Sequence, residues 1–301
     1  MARALALAER GLFTTTPNPR VGCVVVRDGN AIGEGWHVRA GEAHAEIAAL
    51  ADARAMGQEL RGTTLYVTLS PCNTQGRTPP CVDAIIRAGI ARVVAAMRDP
   101  GAAQADGLAR LAAAGITVDV GLFEEEAREL NRGFISRITR GLPWVRSKIA
   151  ATLDGRTALA NGDSRWITGA AARDDGHAWR ARACAILTGV GTVLHDDPQL
   201  NVRAVATPRQ PLKVIVDRHG EVPPGARVLE GGAALIVTAG PRNPAWPDGV
   251  DVLALPDPDG RVDLGAMMRE LARRGINEVH VESGARLNGA LLRAGLIDEV
   301  L

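Results

Sequence analysis

The chain has 301 residues, enough for two domains of ordinary size, and 46% are apolar against 23% charged, the balance of a packed soluble protein. Thirty-five basic residues face thirty-four acidic ones, which argues against a polybasic nucleic-acid or membrane-surface protein, and no run of eighteen apolar residues offers a membrane span. Four cysteines are too few for a disulfide scaffold and point to a reducing, cytoplasmic setting with metal or catalytic use.

The opening stretch, MARALALAERG, carries a charge at each turn and no cleavage site, so it reads as a helix over 2–11 rather than a signal peptide. Residues 21–27 and 31–36 read as two strands joined by the hairpin signal Asp28-Gly29-Asn30. Helical composition over 44–57 and an alternating strand at 64–69 follow. Pro79-Pro80 then opens a helix that Gly89 ends. An apolar strand at 91–97, a helix near 104–114, a strand at 116–120 and one helix over 123–140 complete the first half. Gly141-Leu142-Pro143 punctuates the chain, which predicts domains at 1–141 and 142–301.

The second half restarts with a strand at 144–150 and a helix near 170–182. Strands at 184–188, 213–217, 234–238, 251–255 and 278–282 follow, then a helix over 285–295. Strands alternating with helices define an α/β layered fold, and only nine aromatic residues leave the core to Ala, Val, Leu and Ile. Residues 297–301 look like a strand just beginning, so the sequence is expected to be a fragment, incomplete at the end of its second domain.

Three separated residues suggest a metal site. His44-Ala45-Glu46 precedes a helix, Ser70-Pro71-Cys72 follows a strand, and Cys81 begins the next helix. One imidazole and two thiolates suit zinc and leave a fourth position open for catalysis. The helix dipole favours a thiolate at Cys81. With two thiolates and a neutral His44 the zinc site carries no net charge, and water held there loses a proton near neutral pH. Glu46 is the expected shuttle, taking that proton and passing it to a leaving amine. Residues two apart lie on nearly opposite sides of a helix. His44 and Glu46 can therefore share a site only at the helix start, where His44 is not yet helical. The spacing H-x-E followed by P-C resembles the zinc deaminase signature, although the second Cys lies nine residues after the first. The alternative is a structural thiol pair. Cys23 and Cys184, in apolar strands, read as small buried hydrophobes.

The segments TPNPRVGCVVV, GEGWH, GEAHAE and YVTLSPCNTQGRTPPC resemble the deaminase domain of the bifunctional riboflavin-biosynthesis family. The resemblance implies a cytidine-deaminase-like three-layer domain with zinc on His44, Cys72 and Cys81 and the acid/base role on Glu46. Its implied reaction is replacement of the 2-amino group of a diaminopyrimidinone carrying a phosphoribosylamino group. It also implies that Asn18 grips the pyrimidine and that His37 and Arg77 stand near the ribose phosphate. Ser70 and Thr74 depart from the family's usual Glu and His, which leaves substrate grip in that loop open.

In the second half no G-x-G-x-x-G follows a strand, and Gly189-Val190-Gly191 supplies only G-x-G. KIAATLDGRTA, GDSRWITG and LTGVGTVLHDDPQLNVR resemble the reductase domain of the same family, which implies a dihydrofolate-reductase-like fold using NADPH to turn a ribosyl group into ribityl. By that resemblance Ala150, Trp166, Thr192, Asp196 and the segment from Gly284 line the cofactor site. Ser164, Arg180, Leu200, Arg203 and Glu282 line the substrate site, with the two arginines on the 5′-phosphate. Lys148, Asp196 and Glu282 are expected around the reacting sugar.

The leading expectation is a bifunctional enzyme on a small phosphorylated pyrimidine, with one zinc per chain and NADPH, forming a homo-oligomer if the C-terminus is complete. As a fragment it should deaminate better than it reduces. A nucleic-acid-editing deaminase would need a basic groove and stacking aromatics, which near-neutral halves and nine aromatics do not supply. A reductase with a catalytically dead zinc domain is the third reading.

Overall fold

The structure, a computed structural model, describes residues 1–75, 79–101, 107–164 and 166–301. It divides into two compact units, Met1–Arg140 and Gly141–Leu301. Among the described residues no helix is long and apolar enough to cross a membrane.

The first unit runs α1 (Ala2–Glu9), β1 (Gly22–Arg27), β2 (Asn30–Trp36), α2 (Ala45–Ala55), β3 (Thr64–Leu69), α3 (Cys81–Ala88), β4 (Arg92–Met97), α4 (Gly107–Ala113), β5 (Thr117–Val120), α5 (Glu124–Leu130) and α6 (Arg132–Arg140). Its sheet has the order β2-β1-β3-β4-β5. β1 is antiparallel to β2 and β3, while β3, β4 and β5 are parallel. Asp28 (φ 49°) and Gly29 (φ 79°) turn the β1–β2 hairpin, both in the left-handed region that a tight primed turn requires.

Helix α2 rests directly on β2. A Cβ on Gly35 would lie 2.4 Å from Ala49 N and 2.5 Å from Ala45 O, and one on Gly33 would lie 2.5 Å from Ala49 O. Backbone therefore meets backbone under the first turns of α2, the segment that carries His44 and Glu46.

The single helix expected over 123–140 is two helices, broken at Asn131. This side chain is buried and grips Arg20: its Oδ1 accepts from Arg20 N at 2.8 Å and its Nδ2 donates to Arg20 O at 2.9 Å. An amide that satisfies a backbone pair on another segment fixes the chain there at the expense of helical continuity.

The second unit runs β6 (Trp144–Ser147), α7 (Ala170–Arg182), β7 (Ala185–Gly189), α8 (Val190–Asp196), β8 (Leu212–Val216), β9 (Ala234–Thr238), β10 (Asp251–Ala254), α9 (Leu264–Arg273), β11 (Glu278–Val281), α10 (Ala285–Arg293) and β12 (Glu299–Val300). Its seven strands are parallel in the order β10-β9-β8-β7-β11-β6-β12. Val214, Leu235 and Val279 pack into one apolar cluster, and Ile186, Ile215 and Ile236 into another. Alternate residues of a strand face opposite sides, so the two clusters cover the two faces of the sheet. Helices α8 and α9 were not foreseen. For α9 the signal existed: Leu264, Met267, Met268 and Leu271 recur at helical spacing, and the Asp263 side chain caps the helix by accepting from Ala266 N at 2.8 Å.

Candidate active sites

His44 is the N-cap of α2, with extended backbone (φ −70°, ψ 158°), as the i, i+2 argument required. Its Nδ1 lies 3.2 Å from Cys81 Sγ and 3.5 Å from Cys72 Sγ. Cys72 follows β3, Cys81 is the first residue of α3, and Cys81 N donates to Cys72 Sγ at 3.3 Å. One donor atom from each of the three residues falls within 4.8 Å of the others. This soft N/S₂ set, drawn from three separate segments onto one point, fits a zinc ion with a fourth position open.

Hydrogen bonds from Cys81 and His44 lower the Cys72 thiol against burial. Hydrogen bonding to Cys72 and burial push Cys81 in the opposite direction. A bound cation favours the thiolate of both. Glu46 is buried, and burial, with the neighbouring Cys72, raises its carboxyl to about 7. A carboxyl that gains and loses a proton near neutrality suits a shuttle.

His44, Glu46 and Cys72 face a cavity of about 330 Å³, which also takes in Asn18, His37, Ser70, Asp99 and Phe134. His37 is buried, and both ring nitrogens are engaged. Nδ1 faces Ala43 O at 3.0 Å and must donate to it, so Nε2 accepts from Asn18 Nδ2 at 3.0 Å. His37 thus orients Asn18 and leaves the Asn18 Oδ1 without a hydrogen-bond partner among the described residues. Arg77 lies outside the described residues. Sequence reasoning missed Asp99 and Phe134. Asp99 follows β4 as Cys72 follows the parallel neighbour β3, and ligands gather at the C-terminal ends of parallel strands, which was the available signal. The Asp99 backbone N–H donates to Ser70 Oγ at 2.8 Å, and burial lifts its carboxyl.

In the second unit the chain leaves β7 through α8 toward β8 and leaves β11 through α10 toward β12, on opposite sides. β7 and β11 are adjacent, so the N-termini of α8 and α10 flank a topological switch point, where open parallel sheets take up ligands. A cavity of about 1520 Å³ opens there. It brings together Thr192, Asp196 and Gly284, with Arg218, Glu221 and Arg261 farther along. Gly284 is the N-cap of α10. The uncapped helix start, the switch point and the volume fit a phosphorylated dinucleotide such as NADPH. Ala150 and Trp166 are not among the residues lining this cavity. Trp166 is exposed and lies under the Arg173 guanidinium at 4.5 Å, and Ser164 is exposed.

Arg180 and Glu282 meet as a forked ion pair. Arg180 Nη2 donates to Glu282 Oε2 at 2.9 Å, Nε donates to Oε1, and Nη1 donates to Asn201 O at 3.1 Å. Three of the five Arg180 N–H donors are thus used within the protein. Arg203 is exposed and donates to Asn201 Oδ1 at 2.6 Å. The Leu200 side chain is in the core, so only its backbone, at φ 47°, can meet a ligand. Burial raises the Glu282 carboxyl, but Arg180, His280 and Lys148 together bring it down to about 2. His280, also missed from sequence, is fully buried 3.6 Å from Glu282, and burial lowers it to about 4, so it is neutral.

The Glu282 carboxyl is lower folded than unfolded, so the pair's stabilisation is fully present above about pH 4.5 and is lost as pH falls toward about 2. Arg180→Met is expected to leave a buried, unpaired carboxylate and to cost about 3 kcal/mol at pH 7. In urea unfolding followed by tryptophan fluorescence, that deficit should shrink at pH 4. An equal cost at both values would contradict the ion-pair account.

The N/S₂ donor set beside a buried carboxylate defines a zinc-dependent deaminase unit, and the parallel sheet with its switch-point cavity defines a nucleotide-cofactor reductase unit. Residues 1–97 match the cytidine and deoxycytidylate deaminase zinc-binding region, and residues 143–301 match the RibD C-terminal domain. The chain belongs to the RibD family of riboflavin-biosynthesis proteins. It is 47% identical over 315 residues to riboflavin biosynthesis protein RibD of Escherichia coli, covering 100% of this chain and 85% of that protein. RibD of Acinetobacter baumannii superposes with a TM-score of 0.91 at 44% identity, over 99% of this chain and 83% of that one. A diaminohydroxyphosphoribosylaminopyrimidine deaminase/5-amino-6-(5-phosphoribosylamino)uracil reductase of Thermotoga maritima does so with 0.91 at 41%, over 98% and 82%.

Proposed function

We propose that the Met1–Arg140 unit deaminates a diamino-phosphoribosylaminopyrimidine and that the Gly141–Leu301 unit reduces the ribosyl group of the resulting aminouracil. The observation that carries this reading is the approach of His44 Nδ1 to both Cys72 and Cys81 sulfurs, with Glu46 buried beside them in a cavity sized for one heterocyclic ring. His44, Cys72 and Cys81 would hold zinc, which would supply an activated water for attack on the amino-bearing ring carbon. Glu46 takes the proton of that water and returns it to the departing amine, so that ammonia leaves. Asn18, held by His37, presents its carbonyl oxygen to a ring N–H. Asp99 and Phe134 form the remaining polar and apolar walls.

In the reductase unit NADPH supplies the hydride. Thr192, Asp196 and the Gly284 turn hold the cofactor. Lys148 and Glu282 face the sugar, Lys148 giving a proton to the opening ring and Glu282 holding a hydroxyl. Arg180 positions Glu282, and Arg203 takes the phosphate. Four cysteines outside any disulfide and NADPH chemistry support a reducing, cytoplasmic setting. The test is one preparation assayed three ways, for zinc content, ammonia release and NADPH oxidation with the pyrimidine substrate. About one zinc per chain and ammonia release before NADPH is consumed are expected. Ammonia release unaffected by zinc removal would overturn the deaminase assignment.

A further inference from the structure

The deaminase reading of the Met1–Arg140 unit, on which this inference rests, has Asn18 present its carbonyl oxygen to the pyrimidine ring. Residues 17–21 form neither helix nor strand, yet Asn18, Pro19 and Val21 line the deaminase cavity. A wall built from loop keeps a fixed geometry only where its backbone is tied to something rigid. Asn131 supplies that tie. Its side chain is only 1% exposed. The Arg20 N–H can only donate and the Arg20 carbonyl can only accept, which fixes the orientation of the Asn131 amide: Oδ1 faces the N–H at 2.8 Å and Nδ2 faces the carbonyl at 2.9 Å. Nδ2 also donates to Ala127 O at 3.3 Å. Both polar atoms of the amide are thus engaged within the protein, and Asn131 is not among the residues lining the cavity. Its backbone carbonyl accepts from Ile135 N at 2.9 Å, at the start of α6. Phe134 and Ile138, three and seven residues further on, share one face of that helix and line the same cavity. Two more bonds join the loop to these helices: Arg20 Nη1 donates to Leu130 O at 2.7 Å, and Arg137 Nη2 to Pro17 O at 3.1 Å. The ring-gripping wall and the apolar wall are therefore one hydrogen-bonded body.

We propose that Asn131 is a positioning residue of the deaminase: by clamping Arg20 it sets the Asn18 amide at a fixed distance from the α6 wall, and Arg137 adds an outer tether at Pro17. The clamp acts on substrate grip rather than on the chemical step. His44 and Glu46 stand on the start of α2, and Cys72 and Cys81 on the loop beyond β3 and the start of α3, so loosening the clamp leaves the metal donors and the proton shuttle assembled.

The test is steady-state ammonia release by the full chain, by Asn131→Leu, Arg137→Met and Asn18→Ala, and by each of the first two combined with Asn18→Ala. Zinc content and NADPH oxidation with pre-deaminated substrate are measured on every preparation. Asn131→Leu keeps the size of the side chain and removes both bonds to Arg20. Its KM should rise about 10-fold, the effect of one lost substrate hydrogen bond. Its kcat should stay within about threefold, the pattern of lost uniform binding, with zinc near one per chain. Arg137→Met should raise KM by a smaller factor. Asn18→Ala should raise KM at least as much as Asn131→Leu, and adding either second change to it should alter KM by no more than about twofold, because a clamp that acts through Asn18 has nothing to hold once the amide is gone. A merely structural role would shrink the active fraction, lowering kcat with KM unmoved, and that result overturns the proposal. So do increases in KM that multiply in the double variants. If Asn131→Leu does not fold, Arg137→Met and its double variant decide by the same criteria. An unchanged KM in Asn18→Ala overturns the ring-grip role of Asn18 and the proposal with it, whereas absence of zinc-dependent ammonia release by the unaltered protein overturns the deaminase reading itself.

Discussion

Glu46→Gln is expected to lower ammonia release by about 10²- to 10⁴-fold, the range of a lost general acid–base group, while zinc content stays near one per chain. The substitution keeps the volume and hydrogen-bonding shape of the side chain and removes only its ability to carry a proton. Glu46 is buried, and burial with the neighbouring Cys72 raises its carboxyl to about 7, the range in which a proton shuttle works near neutrality. His44, Cys72 and Cys81 remain, so metal binding and substrate binding should persist, and the loss should fall on kcat rather than KM. NADPH oxidation with pre-deaminated substrate, measured on the same preparation, should be unchanged. Activity equal to the native enzyme would remove Glu46 from the reaction. Loss of zinc would show that it holds the metal site together instead.

Gly35→Ala is expected to abolish deamination and to destabilise the N-terminal unit, although residue 35 touches no ligand. The added methyl would meet Ala49 N at 2.4 Å and Ala45 O at 2.5 Å, more than 1 Å inside ordinary contact. Both atoms are backbone, so neither can rotate away, and α2 must move. Ala45 stands between His44 and Glu46, so that movement carries the zinc donor and the proton shuttle with it. A displacement of about 1 Å costs about 10²-fold in rate, and overpacking of this kind costs about 1–3 kcal/mol or more. Gly29→Ala is the matched comparison. Its neighbourhood is open and only the left-handed turn opposes it, so about 1–2 kcal/mol and full activity are expected. Ammonia release and thermal unfolding of the two variants separate the explanations. Equal behaviour would mean that the close approach of α2 to β2 is not what places the site.

The sequence carried much of this arrangement because much of it is local. β3, β9 and α7 begin and end where their residue patterns do, and His44 had to be an N-cap for geometric reasons alone. What escaped was set by distant partners. The break at Asn131 is caused by Arg20, 111 residues earlier, and nothing within 123–140 announces it. The ion pair of Arg180 with Glu282 spans 102 residues, and nothing near either residue in sequence announces it. Asp99 and Phe134 reach the deaminase cavity only because of strand order and the placement of α6. His280 looks like an ordinary residue of an apolar strand until register sets it opposite Arg146. The miss at α9 has no such excuse, since its apolar spacing was plain.

The three zinc donors come from separate stretches: the start of α2, the loop beyond β3 and the start of α3. A cation gripped by all three is thus a cross-link as well as a reagent. It ties together segments that the sheet alone holds only through packing, and its binding energy adds to the folding energy of that unit. Metal supply would then govern how long the N-terminal unit withstands heat or proteases, quite apart from whether it is turning over substrate.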